Sequence, residues 1–267
     1  METKYLNIAG FVIRINFKLT EWEFALNKCK EGINEYYGGF MMKDKSKKID
    51  YTINFVERKI LEMTYRKKEK INLINFFEIL NKDTIVTFYQ ISIFQFQIII
   101  RTILQELLTS GKGFMLHSSS IEINNYAYIF TGKNGAGKST AMKLLSGKYR
   151  ALADDTVIVR KINRKYYMFQ TPFIEKEAWV KKNSDQLPIA GFFFLEKAHY
   201  FKIETIKDKN YTLNRLIKQF FTEQEYVKKQ MKILMGFVNH FDHFNKLYFA
   251  KDAVKLGWEL QNYQRFT

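Results

Sequence analysis

Tyr126-Ala-Tyr-Ile-Phe-Thr131 is a short apolar run, and Gly-Lys-Asn-Gly-Ala-Gly-Lys-Ser-Thr follows it directly. Those nine residues complete the pattern G-x-x-x-x-G-K-[ST] of a phosphate-binding loop. Such a loop needs a strand to deliver it and a helix to leave it. Residues 126–131 read as that strand, and Ser139-Thr-Ala-Met-Lys-Leu-Leu145 is compatible with that helix. The expected fold class is therefore α/β (α+β). In the loop, glycines at 132, 135 and 137 let backbone N–H groups turn inward where a Cβ would obstruct them. The following helix adds its N-terminal dipole. The residues expected to contact an anionic polyphosphate are Gly132, Lys133, Asn134, Gly135, Ala136, Gly137, Lys138, Ser139 and Thr140. Lys138 has the reach for the β- and γ-phosphates, and the Ser139 hydroxyl is suited to Mg²⁺.

A chain of 267 residues with 46% hydrophobic content can build one large domain or two smaller ones with real cores. With a single cysteine, Cys29, it forms neither an intrachain disulfide nor a cysteine-based metal site. The N-terminus lacks a signal-peptide pattern. The most apolar stretch, residues 91–108, is interrupted by Gln95, Gln97, Arg101, Gln105 and Glu106. It suits an amphipathic or buried helix better than a membrane span, and a soluble cytoplasmic protein is expected. The net charge is +16, and it is uneven: residues 1–110 hold 17 Lys and Arg against 13 Asp and Glu, and the remainder 26 against 14. A basic surface of this kind can attract nucleic acid, a membrane or an acidic peptide, and the plainer reading is a lysine-rich composition spread over solvated faces. No nucleic-acid-binding motif accompanies it, so a nucleic-acid partner is not expected.

Residues 4–17 alternate as a strand. Residues 50–55 and 60–65 read as an antiparallel pair, preceded by a charged turn over 43–48, and residues 85–89 as a further strand. The first convincing helix spans 94–108 and is stopped by Ser110-Gly111. Residues 1–90 are therefore expected to be a mostly β section, acceptor-binding or accessory, and residues 91–267 the nucleotide-binding domain. In the latter, residues 114–123 read as a strand and Asn124-Asn125 as a two-residue hairpin turn. Strands are expected over 165–170, 190–195 and 247–250, and helices over 211–221, 223–240 and 252–263.

Two further features point to chemistry. Asp154-Asp155 lies shortly after the loop helix. A loop-bound nucleotide needs a carboxylate near its metal, usually from the end of a neighbouring strand. Adjacent aspartates can divide two tasks, metal binding and proton acceptance. Side chains alternate along a strand, so both reach one site only if the backbone turns there. His117 starts the hairpin that feeds the loop. His199, His240 and His243 have no trusted metal-ligand spacing; His240 and His243, three apart, could share a helix face and are read as structural.

The loop is spelled like that of ABC transporter ATPases, but the Ser-Gly-Gly signature and the apolar strand ending in Asp-Glu are missing. The guanine-reading Asn-Lys-x-Asp of GTPases is missing too. In order and spacing, His117, the loop and Gly147-Lys-Tyr-Arg-Ala-Leu-Ala-Asp154-Asp155 resemble the catalytic domain of HPr kinase/phosphorylase, over roughly 112–200. Within that family the chain is similar to a divergent group that includes lasso-peptide precursor kinases. The resemblance implies a P-loop core of the HPr-kinase-like and PEP-carboxykinase-like type, with ATP and Mg²⁺ as cofactors and phosphoryl transfer to a serine hydroxyl of a peptide or small protein. It implies Asp154 as general base, Asp155 and Ser139 at the metal, Lys138 at the donor phosphates, and His117 positioning an aspartate or phosphate. Arg150 becomes a structural support or a phosphate contact. The family's second signature, an acidic residue followed by Arg-Gly and a Gly-rich stretch, has no counterpart, which argues against HPr as acceptor and against the reverse phosphorolysis. True HPr kinases are hexameric, so a homo-oligomer is compatible with the resemblance. Two other readings stay open: a nucleotide-dependent switch or ATPase of a larger assembly, and a kinase of free serine or a similar metabolite.

Overall fold

The chain divides into two units, Met1–Leu107 and Leu108–Thr267. The structure, a computed structural model, describes residues 2–17, 23–43, 48–55, 62–66, 71–75, 77–81, 84–87, 92–110 and 113–263.

The first unit contains β1 (Glu2–Ile8), β2 (Phe11–Phe17), α1 (Glu23–Tyr37), a 3₁₀ turn (Gly38–Phe40), β3 (Tyr51–Phe55), β4 (Glu62–Arg66), β5 (Ile71–Asn75), β6 (Phe77–Asn81), β7 (Thr84–Thr87) and most of α2 (Ile93–Ser110). Its sheet has the order β1-β2-β3-β7-β6, and β4 and β5 form a separate ribbon. Two expectations are corrected, and one helix is added. Residues 4–17 are two strands, because Ala9 and Gly10 both take positive φ, 54° and 81°, and close a hairpin. The turn lacks the Asn or Asp that usually marks it, so the alternation reads through it. The strand at 51–55 does not pair with the one at 62–66. It lies between β2 and β7, parallel to both, while β4 pairs β5. Helix α1 was not expected; its buried positions among residues 27–37 are Cys29, Ile33 and Tyr37, a stripe only one residue wide. In α2 the buried residues Phe96, Ile99, Ile100, Ile103 and Leu104 follow helical spacing, with the Tyr37 ring edge-on to Phe96 at 5.1 Å. Among the described residues no helix is long and apolar enough to cross a membrane. Residues 44–47, within the expected charged turn, residues 60–61 and 88–89, at the ends of expected strands, and the expected helix stop at Gly111 lie outside the described residues.

The second unit runs β8 (Gly113–His117), β9 (Ser119–Ile123), β10 (Tyr126–Thr131), α3 (Lys138–Leu145), β11 (Arg150–Ala153), β12 (Thr156–Ile162), β13 (Lys165–Gln170), β14 (Gln186–Lys197), β15 (Lys202–Thr205), α4 (Lys209–Ile217), β16 (Phe220–Phe221), α5 (Val227–His240), β17 (Phe244–Phe249) and α6 (Ala253–Tyr263). Mixed α/β architecture is thus observed, with the strand, loop and helix of the phosphate motif in place. The hairpin turn at Asn124-Asn125 is observed as well, with φ of 51° and 64°. The expected helix over 211–221 ends at Ile217 and gives way to β16, and α5 starts four residues later than expected. Phe220 and Phe221 pair with β8 instead of extending α4.

Strand β14 joins two groups of strands. Its C-terminal part lies between β10 and β17, parallel to both, and β9, β11 and β15 extend that group. Its first residues pair with β13, which leads through β12 and β8 to β16. Alternation along the strands separates two cores. Ala127, Ile129, Phe192 and Phe194 pack with Leu216, Leu234 and Phe237 of α4 and α5. Tyr128, Phe130, Phe193 and Leu195 face Met142 and Leu145 of α3 and Leu256 and Leu260 of α6. With both faces covered, β14 reads as one apolar run, Ala190–Leu195, as expected of a buried parallel strand.

Candidate active site

Two breaks in the strands build the site. The chain leaves β8 at Ser118 to enter β9, and it leaves β11 at Asp154-Asp155 to enter β12. Thr156 sits opposite His117 in the β8–β12 register, and Ala153 opposite Ser120 in the β9–β11 register. The two breaks therefore lie side by side, tied by the N–H of Ser118 donating to the carbonyl of Asp155 at 2.9 Å. Small residues suit so close a crossing: Ser118, Ser119 and Ser120 are fully buried. The backbone turn that the paired aspartates require is present.

The His117 Nδ1 and an Asp155 carboxylate oxygen are 2.7 Å apart. This contact, before all else, holds the Asp155 carboxyl below the usual aspartate range, and Lys138 adds to the effect. Asp154 is buried, and its Oδ1 has no hydrogen-bond partner. The loop wraps into the same cleft, a space of about 920 Å³ lined by His117, Asn134, Lys138, Ser139, Asp154 and Asp155. Lys138 is buried and donates from Nζ to the Gly132 carbonyl at 3.0 Å. Burial draws its ammonium below the ordinary lysine range, and Asp155 and Asp154 pull it back up. Gly137, with φ of 103°, precedes α3 where a Cβ would stand 2.9 Å from the Phe249 ring. That cradle leaves backbone N–H groups, a lysine and a helix N-terminus facing one space, a fit for a polyphosphate.

The residues also fit Mg²⁺. Among the described residues no group of three or more His, Cys, Asp and Glu could cage an ion. A nucleotide-bound Mg²⁺ does not need such a cage, since it takes one or two protein ligands plus phosphates and waters. The Ser139 hydroxyl and the ionised Asp155 line the same cleft and can supply those ligands.

The family model described as SynChlorMet cassette protein ScmC matches residues 80–235, more than half of the chain. The chain belongs to this family. The match contains the loop, His117, Asp154 and Asp155. No curated protein matches the chain. Among solved structures it is similar to the Hpr(Ser) kinase/phosphatase from Coxiella burnetii, with 11% identity and a TM-score of 0.31, over 56% of this chain and 90% of that one.

His117, Asp154, Asp155 and the loop residues Asn134, Gly135, Gly137, Lys138, Ser139 and Thr140 line one cleft, with His117 on Asp155 rather than on Asp154, whereas Gly132 and Lys133 line a neighbouring one and Ala136 is buried. Arg150 lies at the other end of β11 and pairs with Glu122 across β9. His199 lines the mouth of the cleft together with Lys176, Lys197 and Lys251, a basic rim that the sequence did not reveal. His240 ends α5 and its Nδ1 contacts the Gly236 carbonyl at 2.7 Å, whereas His243 lies beyond the helix, so the two share no helix face. Cys29 is buried, and burial pushes its thiol up to about 12.

The largest omission is Glu175. One carboxylate oxygen accepts from Asp154 N at 2.9 Å and the other from Thr156 N at 3.0 Å, so the side chain clasps both ends of the aspartate turn. Lys182 lies 3.0 Å from it and also donates to the Phe173 carbonyl at 2.7 Å. Burial pushes Glu175 up and Lys182 down, and their contact opposes both shifts. Glu175 follows β13 in an irregular segment, where no periodicity marks it.

Proposed function

We propose that the chain is a phosphotransferase that moves the γ-phosphoryl group of ATP to a serine hydroxyl of a peptide or small protein. The observation that carries this reading is the convergence, in one cleft, of the loop with the aspartate turn and the 2.7 Å His117–Asp155 contact. The second, buried carboxylate with an unpartnered oxygen adds to the loop and the metal carboxylate a group placed to take a proton from a nucleophilic hydroxyl. In this reading the loop amides and Lys138 hold the donor phosphates. Ser139 and Asp155 hold Mg²⁺, which supplies charge neutralisation on the phosphates when bound. His117 fixes the Asp155 carboxylate in place. Asp154 Oδ1, unpartnered, takes the proton of the acceptor hydroxyl as the hydroxyl oxygen bonds to the γ-phosphorus and the bond from that phosphorus to the bridging oxygen breaks, with ADP leaving. Residues 1–90 are an accessory section to the nucleotide-binding domain of residues 91–267. The resemblance to HPr-kinase-like peptide kinases supports the same assignment.

The test is acceptor dependence. The protein is incubated with γ-labelled ATP, Mg²⁺ and a panel of serine peptides, free serine and no acceptor. Label on peptide serine is expected. Label found only in free phosphate overturns the kinase reading, and label on free serine alone overturns the peptide acceptor.

A further inference from the structure

A second cleft, of about 560 Å³, opens beside the first. His117 and Asn134 line both, so the two spaces meet at these two residues. Its remaining walls bring Lys133 from the loop together with Arg215, Lys218, Phe220 and Phe221 from the end of α4 and from β16. No aspartate or glutamate lines it. Arg215 is already engaged, with Glu196 at 2.6 Å and its guanidinium over the Phe194 and Tyr211 rings. Lys133 and Lys218 are exposed and have no carboxylate partner among the described residues. The wall is joined rigidly to the site. Phe220 and Phe221 pair with Leu116 and Met115, the His117 N–H donates to the Gln219 carbonyl at 2.7 Å, and the Phe221 ring stands edge-on to the His117 ring at 6.1 Å.

We propose that this second cleft docks the acceptor, and that the acceptor is a peptide segment with carboxylates flanking its hydroxyl-bearing residue. The inference rests on the kinase reading for the word acceptor, but the docking itself does not need transfer. In-line transfer requires the acceptor oxygen to approach from the side opposite the leaving group. A chain in the second cleft reaches the donor's cleft at the edge that the two share, where His117 and Asn134 stand. The two phenylalanines give the chain an apolar floor, and Lys133 and Lys218 line the same cleft for its carboxylates. Phenylalanines beside lysines also suit single-stranded nucleic acid. Two uncompensated cations are too few to follow a phosphate backbone, which favours the peptide.

The experiment uses the full chain and two fluorescein-labelled octapeptides, one with serine between glutamates and one with glutamines in their place. Binding is read by anisotropy without nucleotide. The glutamate peptide is expected to bind about tenfold more tightly than its counterpart, and Lys218→Glu to remove most of that preference. Lys165→Glu is the control for the overall positive charge. Lys165 opens β13 at the far end of the hairpin from Thr156, about 20 Å along the strand. It should change binding less than twofold. Unchanged affinity of Lys218→Glu for a fluorescent ATP analogue shows that the fold is intact. Equal binding of the two peptides overturns the proposal, as does an equal loss in Lys165→Glu, or a short oligothymidylate that outcompetes the glutamate peptide. Preferential binding with no phosphate transfer to it or to any serine peptide sinks the kinase reading and leaves the docking site standing.

Discussion

Glu175 and Lys182 lie 3.0 Å apart, with only 2% and 12% of their side chains exposed. The pair holds the aspartate turn from behind, since the same carboxylate accepts from Asp154 N and Thr156 N. Removing one partner of a buried pair strands the other charge, at a cost of about 3–5 kcal/mol. Glu175→Ala also leaves two backbone N–H groups unpaired. It should lower the urea midpoint of the second unit accordingly. Glu175→Leu combined with Lys182→Met should recover part of that stability but no transfer activity, because the turn stays unclasped. A double variant with wild-type turnover would show that the clasp does not position the aspartates.

Gly137 and Lys138 test the cradle. Gly137→Ala faces two penalties: a φ of 103°, costing about 1–2 kcal/mol, and a Cβ 2.9 Å from the Phe249 ring. Phe249→Leu in the Gly137→Ala background relieves the second penalty only, so nucleotide affinity should recover in part. Lys138→Ala removes a charge-assisted contact of about 1.5–3 kcal/mol, which weakens ATP binding by about 10- to 150-fold. Calorimetric titration with ATP reads both. Unaltered affinity in Lys138→Ala would place the phosphates elsewhere.

His117 sets the acid limb. Its contact is the largest cause that lowers the Asp155 pKa below the ordinary 3.8. A depressed carboxylate adds stability above its unfolded value and loses it as pH falls through its folded value. That contribution is therefore fully present above about pH 5 and fades only in stronger acid. His117→Ala removes the cause, so the Asp155 pKa rises, the acid limb of the kcat/KM profile should move to higher pH, and the stability that the contact contributes at neutral pH should be lost with it. An acid limb that stays in place would separate His117 from Asp155 in function.

What the sequence revealed depended on how local the physics was. The loop, its flanking strand and helix, and the Asn124-Asn125 turn are set by contiguous residues and could be read directly. So could Asp154-Asp155, because a loop-bound nucleotide needs a carboxylate from the end of a neighbouring strand, shortly after the loop helix. The parallel pairing of β3 with β2 and β7 joins distant segments, and nothing in residues 51–55 names a partner. Ala9-Gly10 lacks the usual turn residues. Glu175 acts through two backbone amides some twenty positions earlier, a relationship that exists only once β12 and β13 are paired. Phe220 and Phe221 looked helical because their burial comes from an edge contact with β8, which helical spacing mimics over so short a span.

Asp154 and Asp155 should separate cleanly on substitution. Asp154→Asn keeps size and shape, removes the buried charge, and leaves Lys138, Ser139 and the His117–Asp155 contact intact. If Asp154 Oδ1 takes the acceptor proton, affinity for an ATP analogue stays within about threefold, while transfer to a serine peptide falls by about 10²–10⁴, the usual worth of a positioned base. Asp155→Asn instead loses a hard oxygen ligand and the partner of His117. Its defect should appear first as a higher Mg²⁺ requirement and should ease as Mg²⁺ is raised, since a weakened site is refilled by mass action. Single-turnover transfer across a Mg²⁺ series distinguishes the two. A loss in Asp154→Asn that added Mg²⁺ repairs would exchange the roles of the two aspartates, and full activity in Asp154→Asn would remove it from the chemistry.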